Sequence, residues 1–471
     1  MPEDKKKELI VIGAGPGGYA AAFRAADLGL KVSLIDPEAN PGGVCLYRGC
    51  IPSKALLQLV KIKQDAAKAA GRGMKFQEPE IDLKKIGEWK DGVVKKLTQG
   101  LGELSKARNV EYIRGKAKFK SPNEVEVTAE EGDTYTLQFE NAIIATGSRP
   151  LSLPDMEFDG KQIISSSEAL ELIDIPDKML IVGGGYIGLE LGSVYAAFGS
   201  KVSMAEMTPG FLPGADRDLV EVFEKENPDL FEEVWFETEV TKASKKKDKV
   251  KVILKTKEGE KEKEFDKIMI AIGREPETEF LGLENAEVET DDKGFIKVDA
   301  KRQTSSSNIY AIGDLTGEPM LAHKATHEGR VSAEVLAGEK GAAYDARSVP
   351  GIVFTNPEIA WCGLTETEAE EKGTDIRILK FPWSASGRAV SLGAENGFTK
   401  LIVHPETGIL LGGGVAGKNA GILIPEISLA IEMGASAEDI ALSIHPHPTL
   451  SETIMEAAEL FSSSPTHIFK K

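Results

Sequence analysis

The stretch ELIVIGAGPGGYAAAFRAADLGLKVSLID, residues 8–36, decides how this chain is read. It opens with a short β-branched and aliphatic run, the pattern of a strand buried on both faces. A glycine-rich turn follows, with Gly13, Gly15 and Gly18 spaced as GxGxxG, then an alanine-rich helix ending near Gly29 and a second strand ending on Asp36. In such a turn the first glycine permits the tight bend, the second lets the backbone approach a pyrophosphate, and the third lets helix and strand pack closely. The helix then points its free N–H groups and positive dipole end at phosphate. The terminal acid accepts hydrogen bonds from a ribose. The stretch therefore reads as a dinucleotide-binding βαβ unit, with the dinucleotide left open.

The pattern recurs. KMLIVGGGYIGLELGSVYAAFGSKVSMAE, residues 178–206, sets Gly183, Gly185 and Gly188 after one strand and Glu206 at the end of the next. The first glycine precedes the acid by 23 positions in both copies, and the offset between copies is 170 residues. Two such units predict two dinucleotide sites.

The texture between and after them supports the duplication. Residues 84–108 read as helix, and residues 110–139 as strands with turns at 121–123 and 132–133. A second strand-rich piece spans 234–265. Each piece leads into a short strand and a glycine, NAIIATGSRP (141–150) and DKIMIAIGREP (266–276). The lysine-rich part at 242–263 alternates with acids and reads as a solvated hairpin. From about residue 349 alternating runs such as GFTKLIVHPETGILLGGGVAG (397–417) predict antiparallel strands, followed by helices at 424–433 and 451–461 and a polar tail. The expected class is α/β, with two Rossmann-like nucleotide-binding domains and a C-terminal α+β domain.

Composition narrows the function. The 471 residues carry a net charge of −18, which disfavours contact with a nucleic-acid backbone. There are three cysteines, Cys45, Cys50 and Cys362, too few for a secreted disulfide scaffold. The start lacks the long apolar region of a signal peptide. The most apolar stretch, 178–201, is broken by glycines and carries Glu190, so no membrane span is expected. These features together lead to the expectation of a cytoplasmic protein.

Just after the first unit comes PGGVCLYRGCIPSKALL, residues 41–57. Cys45 and Cys50 stand five apart before a helix expected from about Pro52. Gly49 allows a bend that brings the sulfurs together, and a helix N-terminus favours thiolate. The residues themselves allow a redox-active pair, two unrelated buried thiols, or part of a metal site, although no second Cys or His pair completes the last.

This segment, with its CIPSK ending, closely resembles the active-site stretch of the pyridine nucleotide–disulfide oxidoreductases. The resemblance extends over essentially the whole chain. It implies tight, non-covalent FAD on the first unit and NAD on the second. It implies domains at 1–148 (FAD-binding), 149–276 (NAD-binding), 277–348 (central, with a second FAD segment) and 349–471 (dimerisation). Cys45 would be the interchange thiol and Cys50 the thiol that passes electrons to the flavin, with Lys54 beside the flavin and paired with Glu190. In the family branch that oxidises dihydrolipoamide, Asn-Val often separates the cysteines; here Tyr47-Arg48 does. FAD contacts would come from Gly13, Gly15, Gly18, Asp36, Lys54, Ala117, Thr146 and Gly147. IYAIGDLTGEPMLAHKATHEG (309–329) looks like the family's second FAD motif, with Asp314 on the ribityl chain and the backbone of Met320, Leu321, Ala322 and His323 facing the isoalloxazine.

On the second unit Gly183, Gly185, Ile187, Gly188 and Glu206 would hold NAD, Val240 would touch adenine, and Ala271 to Gly273 would line the nicotinamide side. Tyr186 resembles the side chain that gates nicotinamide access. Glu206, with no arginine among its immediate neighbours, favours NAD over NADP. His323 and His327 are spaced i, i+4 but lack the HExxH pattern, and no metal site is expected.

HPHPTLSE holds His445, His447 and Glu452 and resembles the C-terminal motif of the dihydrolipoamide-oxidising branch. Dithiol oxidation needs a base, and histidine has the suitable pKa. By the match His447 is that base, Glu452 its partner and His445 structural. In the family this histidine serves the opposite subunit of a homodimer. The implied activity is oxidation of protein-bound dihydrolipoamide with NAD as acceptor. The implied partners are lipoyl domains and the subunit-binding domain of a dihydrolipoamide acyltransferase, in a 2-oxo acid dehydrogenase or glycine cleavage complex. Rivals are a glutathione-type reductase, which would want arginine near Glu206, a mercuric-type reductase, which would carry a C-terminal cysteine pair, and a non-catalytic flavoprotein docking subunit.

Overall fold

A computed structural model describes residues 6–462 and 464–469. The opening five residues, and residues 463, 470 and 471 of the tail-like end, lie outside them.

The first unit is built as its sequence predicts. β1 (Lys7–Ile12), α1 (Pro16–Asp27) and β2 (Val32–Asp36) form a parallel βαβ, with Leu9 opposite Val32 and Ile12 opposite Ile35. The chain then runs through α2 (Gly43–Arg48), α3 (Cys50–Ala69) and α4 (Leu83–Ala107) to β3 (Glu111–Ser121), β4 (Glu124–Ala129) and β5 (Thr134–Ile144). β3 lies parallel to β2, and β5 lies parallel to β1 on its other side. β3, β4 and β5 also form an antiparallel meander.

The second unit repeats the frame. β6 (Lys178–Val182), α5 (Tyr186–Ala197) and β7 (Lys201–Ala205) lead to α6 (Arg217–Glu226) and then a three-stranded antiparallel sheet of β8 (Glu239–Lys246), β9 (Lys249–Thr256) and β10 (Gly259–Phe265). β11 (Lys267–Ile270) then pairs parallel to β6. The lysine-rich hairpin is thus β8–β10, with exposed Lys and Glu outside and Val250, Val252 and Leu254 buried inside.

The two units match at the level of single hydrogen bonds, 170 positions apart. Asp36 accepts from Ala14 N at 2.7 Å and Glu206 from Gly184 N at 2.5 Å. Gly42 N donates to Ala14 O, and Leu212 N to Gly184 O. A Cβ at Gly18 would lie 1.8 Å from Gly13 O, and one at Gly188 would lie 2.1 Å from Gly183 O. The third glycine is therefore required by close approach within the turn. Gly18→Ala and Gly188→Ala should each lower stability by about 1–3 kcal/mol, read as a fall in the urea midpoint; an unchanged midpoint would remove this account of the turn.

β12 (Ile309–Ala311) returns to the first sheet, parallel to β5, and α7 (Ala322–Leu336) packs along α1. The segment around Asp314 is thereby delivered to the first glycine turn. Antiparallel pairing of Ser148–Pro150 with Arg274–Pro276 ties the two units together.

The C-terminal domain is an antiparallel sheet in the order β13 (Gly351–Val353), β14 (Glu358–Gly363), β17 (Leu410–Gly417), β16 (Phe398–Val403) and β15 (Arg377–Pro382), with α8 (Glu366–Lys372), α9 (Ala420–Glu432) and α10 (Glu452–Glu459). Ile422, Leu429 and Met433 share one exposed face of α9 or its end, and Leu442 and Ile444, in the segment before His447, are also exposed. No helix among the described residues is long and apolar enough to cross a membrane.

Candidate active site

A cavity of about 770 Å³ runs along the carboxyl ends of the first sheet, the place where open α/β sheets bind ligands. Gly13, Gly15, Asp36, Lys54, Ala117, Thr146, Gly147, Asp314, Met320 and Ala322 line it. So do Cys45 and Cys50, and Tyr186, Ile187 and Glu190 reach it from the second unit. Gly18, Leu321 and His323 do not line the wall: Gly18 is consumed by the turn, and His323 Nε2 contacts Pro350 O at 2.9 Å. His327 packs edge-on against Tyr344.

The cysteines sit differently from the expected loop. Cys45 lies inside α2, and α3 begins at Cys50 rather than near Pro52. Gly49 separates the helices because a Cβ there would come within 2.9 Å of Val44 O. Cys50 thus occupies the first turn of α3, where free N–H groups face the sulfur. The two thiols are hydrogen-bonded. Cys45, the donor, is pushed up by that bond and by burial. The bond from Cys45 brings Cys50 down to about 7, against burial and with help from Lys54.

Lys54 Nζ donates to Glu190 Oε2 at 2.7 Å and lies 4.6 Å from the centre of the Phe354 ring. Glu190 is buried, and its other oxygen accepts from Phe354 N at 3.0 Å. This ion pair links the cysteine helix, the second unit and the C-terminal domain. Lys54 also borders a hollow of about 360 Å³ that reaches Ile422 on the exposed apolar face.

Several groups at the site carry no sequence motif of their own. Ser148 Oγ donates to Asp314 Oδ2 at 2.5 Å and accepts from Arg274 Nε at 2.7 Å. Glu328, fully buried, accepts from Gly313 N at 2.6 Å and pairs with Arg302 and Lys324. Arg48 lines the cavity and pairs with Glu38. The signal for Ser148 and Arg274 was present only in the paired short strands that follow each unit.

The residues expected on the nicotinamide side stand around the second sheet. Gly183, Gly185 and Gly188 form its turn, Glu206 is tied to Gly184 N and Thr208 N, and Ala271 and Gly273 follow β11. The Val240 side chain is buried in that unit's core.

At the C-terminus His447 Nδ1 contacts Glu452 Oε1 at 2.9 Å. Glu452 Oε2 accepts from Thr449 N at 2.7 Å. Burial pushes Glu452 up, but the Thr449 N–H and the imidazole outweigh it and hold the carboxyl below its ordinary range. His445 is fixed by Glu426 at 2.6 Å and Ser443 O at 2.8 Å. His447 is 73% exposed and does not line the cavity of its own chain.

The arrangement is that of a dithiol redox centre between two dinucleotide-type turns. Residues 7–329 match the family described as pyridine nucleotide-disulphide oxidoreductase, and residues 349–458 match that family's dimerisation domain. The chain belongs to the pyridine nucleotide-disulphide oxidoreductases. It is 46% identical over 472 residues to the dihydrolipoyl dehydrogenase of Vibrio parahaemolyticus, covering 100% of this chain and 99% of the relative. It is 47% identical over 470 residues to that of Thermus scotoductus, covering 99% and 100%. Among solved structures, LpdA from Mycobacterium tuberculosis aligns with a TM-score of 0.90 at 26% identity, covering 97% of this chain and 100% of the other. The HOCl-induced flavoprotein disulfide reductase RclA from Escherichia coli aligns at 0.84 and 28%, covering 96% and 99%.

Proposed function

We propose that this chain oxidises dihydrolipoamide to lipoamide with NAD as acceptor, acting as a homodimer. The observation that carries the reading is the Cys45–Cys50 pair on the wall of a cavity framed by the first glycine turn and by Asp314, with relatives of full length named for this activity.

The residues fit FAD. The open space at Gly15, where a Cβ would meet nothing nearer than Gly43 Cα at 3.9 Å, suits a pyrophosphate at the uncapped start of α1. Asp36 would take the ribose, Ala117 the adenine end, Asp314 the ribityl chain, and Lys54 the ring. When bound, FAD accepts an electron pair from sulfur and passes it as hydride to the nicotinamide.

The chain's own steps concern sulfur and protons. In the oxidised enzyme Cys45 and Cys50 form a disulfide. His447 of the partner subunit takes the proton of one substrate thiol, the resulting thiolate attacks Cys45 Sγ, and Cys50 leaves as a thiolate. The second substrate thiol closes the substrate disulfide, and its proton passes to Cys45, which is released as a thiol. Glu452 orients the imidazole and stabilises its charged form. The start of α3, Lys54 and the Cys45 hydrogen bond hold the electron pair on Cys50 beside the ring.

The homodimer is supported by the match to a dimerisation domain and by the exposed apolar residues Ile422, Leu429, Met433, Leu442 and Ile444, which would otherwise face water. By the same reading the lipoyl-bearing acyltransferase and its subunit-binding segment are the partners. The protein reading is tested by anaerobic titration of purified enzyme with dihydrolipoamide and then NAD. Stoichiometric NADH release supports it, and a yellow protein inert to dihydrolipoamide refutes it.

NAD is read as the acceptor in preference to NADP: the Glu206 carboxylate at the end of β7 would repel a 2′-phosphate, and the nearby Arg217 is bound to loop carbonyls. The specificity constant for NAD should exceed that for NADP by at least about 100-fold; parity would end this assignment. Gly185→Ala separates fold from binding, since a Cβ there meets nothing within 4 Å. Its melting temperature should stay near wild type while KM for NAD rises about tenfold or more, because the methyl group enters the pyrophosphate's place.

A further inference from the structure

The second glycine turn is held by the residues that follow its unit's second strand. On one side Glu206 accepts from Gly184 N at 2.5 Å and from Thr208 N at 2.7 Å. On the other, Leu212 N donates to Gly184 O at 3.0 Å. The loop 207–216 is thus the partner of the turn. Arg217 pins this loop by donating to Phe211 O at 2.6 Å and Ala215 O at 2.5 Å, and also to Leu212 O.

The residues flanking Arg217 point away into the C-terminal domain. Asp216 and Asp218 lie 2.7 and 2.8 Å from Lys400 Nζ, and Glu366 lies 2.5 Å from it. Glu366 N also donates to Asp216 Oδ1 at 2.9 Å, and Lys380 adds a bond to Asp218 at 2.9 Å. Lys400 is on β16 and has no exposed surface. The three carboxylate oxygens come within 4.8 Å of one another, so the ammonium is what allows them to meet. An apolar contact would join two domains at least as firmly. A buried charge with three directional bonds instead fixes one relative placement.

We propose that Lys400 is a positioning residue for the nicotinamide dinucleotide: gripping Asp216, Asp218 and Glu366, it sets the loop 207–216 and hence the shape of the second glycine turn. The inference rests on the reading of that turn as the NAD site. The duplication sharpens it. In the first unit the corresponding loop, tied by Gly42 N to Ala14 O at 2.8 Å, runs into the helix bearing Cys45. At the same offset of 170, residues 45–48 correspond in sequence position to residues 215–218. One copy of this segment carries sulfur chemistry, and the other carries the anchor to the C-terminal domain.

The test uses the full-length flavin-loaded enzyme with Glu366→Gln, Lys400→Met and Lys400→Arg, and three readouts. NADH binding, measured by calorimetry, should weaken by about 3-fold in Glu366→Gln and up to about 30-fold in Lys400→Met, with Lys400→Arg between them. Amide hydrogen exchange at Gly184 and across 207–216, measured without nucleotide, should quicken in the same order. Flavin reduction by dihydrolipoamide, measured without NAD, should stay within about twofold of wild type. A general structural defect would depress both half-reactions together and would overturn the proposal. So would unchanged binding and exchange in a folded Glu366→Gln. If Lys400→Met does not fold, Glu366→Gln decides alone. If the wild-type enzyme binds no NADH, the nicotinamide reading falls, and the exchange pattern still judges the anchor.

Discussion

An equimolar mixture of Cys45→Ser and His447→Gln subunits, dissociated and reassembled, should recover about one quarter of wild-type turnover, although each variant alone is nearly inactive. On the proposed mechanism Cys45→Ser removes the sulfur that the substrate attacks and His447→Gln removes the base, so each homodimer should fall below about one thousandth of wild type. The structure separates these groups: Cys45 lines the cavity, whereas the exposed His447–Glu452 pair does not. The dimerisation-domain match and its exposed apolar residues give the reason to bring a second copy to it. Random reassembly yields mixed dimers in about half the population, and each has one site with a native cysteine from one subunit and a native histidine from the other. The second site of the same dimer carries both lesions. If His447 acted within its own chain, no mixture would regain activity. Steady-state dihydrolipoamide-dependent NADH formation before and after mixing gives the answer directly.

Much of this site was legible because its determinants are local. GxGxxG followed by an acid 23 positions after its first glycine is a periodic pattern, and its repetition at 170 residues needs no knowledge of contacts. The cysteine segment and the HPHPTLSE run are likewise short and contiguous. What escaped depends on distant pairing. Residues 309–311 read as a strand and Asp314 is expected at the flavin by resemblance, yet nothing local shows that this strand enters the first sheet beside β5. Lys400 sits in FTKLIV, where an alternating strand predicts a solvent-facing lysine. α6 from another domain covers that face and turns the lysine into a buried ion-pair centre. Ser148 and Arg274 lie 126 residues apart and acquire a role only when their strands pair. The helix start was misplaced for a smaller reason: Pro52 suits a first turn, but Gly49, required by its approach to Val44 O, had already ended α2 and released α3 at Cys50.

Lys54→Met should nearly abolish turnover while the flavin stays bound, and it should destabilise the fold. Lys54 is the charged partner of a buried carboxylate, so its loss leaves Glu190 with only the Phe354 N–H. Breaking a buried pair in this way costs about 3–5 kcal/mol. The double variant Lys54→Met/Glu190→Gln removes the stranded charge and should return most of the lost melting temperature. Activity should not return with it. The Cys50 thiol, held at about 7 by the Cys45 hydrogen bond and then by Lys54, loses its nearby cation in both variants. A lowered pKa means that the thiolate persists above that pH and is lost as pH falls through it, so removing the cation moves the transition upward, toward the ordinary thiol value of about 8.5. The long-wavelength absorbance of the thiolate beside the flavin, followed against pH in the dithiol-reduced enzyme, should therefore titrate near neutrality in wild type and at higher pH in the single variant, with the double variant between them because it also loses the Glu190 charge that raises Cys50. Recovery of both stability and the neutral transition in the double variant would mean that Lys54 acts only by neutralising Glu190. A shifted transition in a restabilised protein would place its effect on the sulfur itself.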